Sequence, residues 1–156
     1  MALPKLSTPE FNTVIPSTKE DIKFRPFLVK EEKILYMALE GGEQRDIYNA
    51  TMNILENCIL TPGVKYNEFT SYDLEYLFLK LRSKSVGEQI ELNLQHTDEE
   101  YRNNTCSAMT KVMVDIDSIN VQYNDKHNNK IDLGNGIGIE MKDPNAAIFT
   151  KINPDN

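Results

Sequence analysis

Apolar positions recur with two different periods along this chain, and the change falls near residue 88. Before it the period is close to 3.6. Ile47, Ala50, Thr51, Ile54, Leu55 and Cys58 share one helix face, and Thr61-Pro62-Gly63 ends that helix. A helix from about Val29 to Glu40 precedes it, with Ile34, Leu35, Ala38 and Leu39 inward and Gly41-Gly42 as its stop. A third helix follows, capped by Thr70 or Ser71 and stopped by Gly87. Asp73 and Glu75 lie near its positive end, and Lys80, Arg82 and Lys84 near its negative end. Leu74, Leu77, Phe78 and Leu81 make one apolar face of it, while Tyr72, Tyr76 and Leu79 make a second. A helix apolar on two sides must be covered on two sides, by its own domain or by another chain.

After residue 88 the period is 2. Ile90, Leu92 and Leu94 alternate with polar neighbours, as do Val112, Val114 and Ile116. The same holds for Ile119, Val121 and Tyr123, and for Ile137, Ile139 and Met141. Turn residues at 124–129 and 134–136 separate the runs, and the polar stretch Thr97–Thr110 reads as a loop. At the other end, Phe11–Ile15 and Asp21–Phe24 flank a turn-rich joint, and Pro26 stops the second strand because it has no amide to donate. The expected fold class is α+β: an N-terminal β-hairpin, three short helices, then a small antiparallel β-meander with one face packed. The segments are 1–28 (arm and hairpin), 29–87 (helices) and 88–156 (sheet), the last two forming one compact unit.

Composition narrows the function. The 156 residues carry 24 acids against 17 bases, a net charge of −7. That balance argues against a nucleic-acid backbone as partner, which needs clustered Lys and Arg. No apolar run is long enough to span a bilayer, and the start lacks the apolar segment of a signal peptide. Cys58 and Cys106 make neither a disulfide framework nor a pair with metal-ligand spacing.

Few residues invite chemistry. His96 and His127 stand in polar loops without a second ligand, so no metal is expected, and no cofactor motif is present. Gly134-Asn135-Gly136 precedes a strand rather than a helix, which makes it a hairpin turn and not a phosphate cradle. Asp115 and Asp117 share a strand face, the one arrangement that an enzyme reading has to rest on; on a half-buried strand that face is the wet one.

Two motifs carry a resemblance. Phe24-Arg25-Pro26-Phe27-Leu28-Val29-Lys30-Glu31-Glu32-Lys33-Ile34-Leu35 and the run from Asp73 to Glu88 resemble the baseplate hub protein family of T4-type contractile-tailed bacteriophages. Leu3-Pro4-Lys5-Leu6 and Ile139-Glu140-Met141-Lys142-Asp143-Pro144 are similar to it as well. The resemblance implies a non-enzymatic tail protein that helps to build the central baseplate hub in the host cytoplasm. It does so either as a hub subunit or as a transient chaperone of the tape-measure protein. The implied partners are other hub proteins and the tape-measure protein, with oligomers following the symmetry of the assembly. The flank Tyr72, Tyr76 and Leu79, walled by Phe24, Phe27 and Leu28, is the expected docking surface for a partner helix. The competing reading has the same six residues joining the helices to the sheet.

Overall fold

The computed structural model describes residues 8–95, 109–124 and 128–149. His96, Cys106, His127, Leu3–Leu6 and most of the Thr97–Thr110 loop lie outside the described residues.

Strands β1 (Phe11–Val14) and β2 (Asp21–Phe24) pair antiparallel, from Phe11 opposite Phe24 to Val14 opposite Asp21. Ile15 closes the connection by donating its amide to Glu20 O at 2.9 Å. The alternation of β2 drives Ile22 and Phe24 inward. On its far side β2 takes up the end of the second helix: Leu60 N donates to Lys23 O at 2.7 Å and Arg25 N to Cys58 O at 2.9 Å. As Pro26 requires, the strand ends before it.

Helices α1 (Val29–Gly41), α2 (Gln44–Cys58) and α3 (Ser71–Ser85) follow. Gly42, at φ 73°, takes the left-handed conformation that stops α1 and returns its amide to Ala38 O. On α2 the expected face is the buried one: Ala50, Thr51, Ile54, Leu55 and Cys58 are inside and Ile47 is half-buried. On α1, Leu35 packs against the core, but Leu39, one turn further on and also expected inward, is half exposed. Thr70 is the N-cap of α3; its hydroxyl accepts from Asp73 N at 3.2 Å. The core joins Ile15, Ile22 and Phe24 of the hairpin region to Ile54, Leu55 and Cys58 of α2, with Phe69, just ahead of α3, and Leu77 and Leu81 of α3 closing it.

The C-terminal part is antiparallel, as expected, but it is divided into pairs. β3 (Gln89–Gln95) pairs with β4 (Met109–Asp115), and β5 (Lys130–Gly134) with β6 (Ile137–Glu140); among the described residues neither pair is laddered to the other or to β1–β2. Gly134, Asn135 and Gly136 all have positive φ and form the β5–β6 turn. The alternating run Ile119–Tyr123 is not a strand. Asp115 Oδ1 accepts from Asp117 N at 3.0 Å and turns the chain out of β4. Tyr123 is then held by the N-terminal hairpin, its hydroxyl on Pro16 O at 2.8 Å and the Lys19 ammonium over its ring. Every residue of β5 and β6 is exposed, so the expected packed face is missing there. A short helix α4 (Ala146–Phe149) is tied back by Ala146 N to Phe69 O at 2.8 Å.

Candidate functional site

Side chains that hold elements together account for most of the charged clusters. Asp117 accepts from Ser83 Oγ at 3.1 Å and pairs with Lys84 at 3.0 Å, while its carbonyl meets the Lys80 ammonium. The Lys84 hydrogen bond keeps the Asp117 carboxyl below its usual range despite partial burial. Lys84 in turn is pushed above the usual lysine value by Glu88 and then by Asp117. Asp117 therefore fastens the exit of β4 to the last turns of α3. Asp115 ends β4 and serves the turn, so the two acids do not face one another across a common strand surface. Among the described residues no group of three or more His, Cys, Asp and Glu is placed to hold a metal.

Arg25 and Glu31 form a second fastening. Glu31 is almost wholly buried, bonded to Arg25 Nη2 and to the Leu28 amide, each at 2.9 Å. The latter bond satisfies a free amide at the start of α1. Burial pushes the Glu31 carboxyl up, but the Arg25 and backbone hydrogen bonds outweigh it and leave the group below the ordinary glutamate value.

The six expected docking residues do not form one patch. Phe24 is core, only 4% exposed, and its ring lies 5.8 Å from that of Phe11. Phe27 is half-buried and its amide donates to Ser85 Oγ at 3.0 Å, at the C-terminal end of α3. Leu28 is exposed at the start of α1. Tyr72 lies at the opposite end of α3, roughly 20 Å along the axis from Ser85, with its hydroxyl 3.2 Å from Asp143 Oδ2. Tyr76 is packed on the core and, with Val14, Pro16, Asn120, Val121 and Tyr123, lines a shallow depression. Leu79 is half-buried. Tyr76 therefore borders the segment that leads into the β5–β6 pair, and Tyr72 the segment that leads out of it.

Exposed apolar surface lies elsewhere. Val29, Tyr36 and Met37 stand out from α1. On the β5–β6 pair, Ile131, Leu133, Ile137 and Ile139 are all exposed. A two-stranded hairpin is marginal on its own, so this bare pair is a surface that wants a cover. The signal was present in the chain: α1 has apolar residues beyond those of its inward face. Among the described residues no helix is long and apolar enough to cross a membrane.

Residues 8–156 match the family model described as T4 bacteriophage base plate protein. No curated protein and no solved structure matches the chain.

Proposed function

Because the chain belongs to the T4 bacteriophage base plate protein family, we propose that it takes part in building the central hub of that baseplate. A structural or assembly role in a phage baseplate follows from the family itself, and so do other baseplate proteins as partners. The hub assignment is the finer step. Its support is the likeness of the Phe24–Leu35 and Asp73–Glu88 motifs to hub proteins. The carrying observation is the family match over residues 8–156, since nearly the whole chain, not one grafted motif, is of baseplate type.

In this reading the protein works by contact and not by catalysis, in a contractile tail assembled in the host cytoplasm. The charged clusters are consumed in fastening elements, and the surplus is apolar surface. A long helical partner such as the tape-measure protein would dock along α3 through Tyr72, Tyr76 and Leu79, with Phe27 and Leu28 beyond its C-terminal end. Tyr76→Ala and Leu79→Asp test this. Capture of hub or tape-measure protein should fall while the circular dichroism spectrum is kept; unfolding of both variants would assign the flank to internal packing instead.

Two versions of the role differ in whether the chain stays. Quantitative mass spectrometry of purified virions beside infected-cell lysate separates them. Stoichiometric presence in particles makes it a hub subunit; abundance in lysate with absence from particles makes it a chaperone that leaves.

A further inference from the structure

Helix α1 has two faces of different character. Leu35 packs on the core, and Ile34 and Ala38 are half-buried beside it. At 100° per residue, Val29, Lys33, Tyr36 and Glu40 fall in one row on the opposite side, with Met37 next to them. Val29 is 79% exposed, Tyr36 60% and Met37 63%. Together with Glu32 they line one shallow surface groove. Neither Lys33 nor Glu40 takes part in an ion pair among the described residues.

The order of charges along this row selects the occupant. Lys33 lies one turn before the Tyr36–Met37 centre and Glu40 one turn after it. We propose that the outer face of α1 binds the same face of a second copy of this chain, the two helices antiparallel about a two-fold axis between Tyr36 and Met37. In that register Tyr36 of each copy meets Met37 of the other, and Lys33 of each meets Glu40 of the other. Both contacts occur twice, as an isologous interface requires. A parallel pair sets Lys33 on Lys33 and Glu40 on Glu40. Sliding the antiparallel pair by one turn places Glu40 against Val29 and removes both ion pairs. A single helix pair buries little area, so the association is weak, with Kd on the order of 10 µM. This inference is independent of the hub reading.

Sedimentation of the full chain over rising concentration provides the test. The expected result is a shift from the 17.9 kDa of one chain to twice that mass. Lys33→Glu and Glu40→Lys, made singly, should each weaken association about tenfold. The double variant K33E/E40K should restore it, because the antiparallel register rebuilds both pairs with the signs exchanged. Tyr36→Glu should leave the chain monomeric. The reversal and its rescue decide the matter even where Tyr36→Glu perturbs folding. A chain that stays single up to about 1 mM, or a dimer indifferent to the single reversals, or one that the double variant weakens further, overturns the proposal.

Discussion

The backbone amide of Ser17 donates to Asp73 Oδ1 at 2.8 Å, joining the first hairpin loop to the start of α3 across 56 positions of sequence. The other oxygen of Asp73 accepts from Thr70 N at 2.9 Å and from Thr70 Oγ1 at 2.7 Å. Asp73 is 0% exposed, so one carboxylate caps a helix and anchors a loop inside the protein. Asp73→Ala strands three donors and should cost about 3 kcal/mol in chemical denaturation. Ser17→Ala keeps the amide and should stay within about 0.5 kcal/mol of the parent. Equal losses in the two variants would show that the loop's side chain, not its backbone, is what α3 holds.

Glu31 gives a pH dependence of definite sign. Its folded carboxyl titrates below the ordinary value of about 4.3. The stability it contributes is therefore present above that value and lost as pH falls through the folded one. Glu31→Gln should destabilise the protein at neutral pH by about 2 kcal/mol. The gap from the parent should narrow as the pH falls below the ordinary glutamate value and through the folded one. Paired urea titrations at neutral and acid pH measure it, and a gap that widens on acidification would reverse the assigned sign.

Cys58 is sealed in the core, and burial pushes its thiol up to about 11, with Arg25 opposing and Glu31 adding to the shift. In a Cys106→Ser background, a thiol reagent at neutral to mildly alkaline pH should label the native protein more than about a hundredfold slower than the unfolded chain. Comparable rates would mean that the α2–hairpin seam opens readily.

Neighbouring glycines at the end of α1 should respond in opposite directions. Gly41 is helical, and a Cβ there would meet only Asp46 Oδ2 at 4.0 Å. Gly41→Ala should stabilise by about 0.5 kcal/mol. Gly42 has open space around it but φ of 73°, so Gly42→Ala should cost about 1 kcal/mol through backbone strain alone. Thermal melts of the two variants that moved the same way would contradict this assignment of the helix end.

Local chemistry was legible in the sequence and long-range pairing was not. The buried face of α2, the Thr70 cap and the stop at Pro26 each follow from spacing or from one residue's covalent geometry, and each is where it was expected. Ile119–Tyr123 alternates as a strand should, yet a distant hairpin holds Tyr123 by its hydroxyl and its ring. The strand Lys130–Gly134 is short and polar at every second position, and only its turn was evident beforehand. Surplus apolar surface was expected on α3, whereas much of the exposed share lies on α1 and on the β3–β4 and β5–β6 pairs. Periodicity shows how many apolar faces a helix has, but only the packed partner shows which of them is left open.

The most direct measurement of the hub role is the composition of baseplate particles purified from cells infected by phage that lack this chain. Peripheral baseplate parts that accumulate without hub proteins, and without tails growing from them, are the predicted result. Particles with a complete hub that go on to form tails would contradict it.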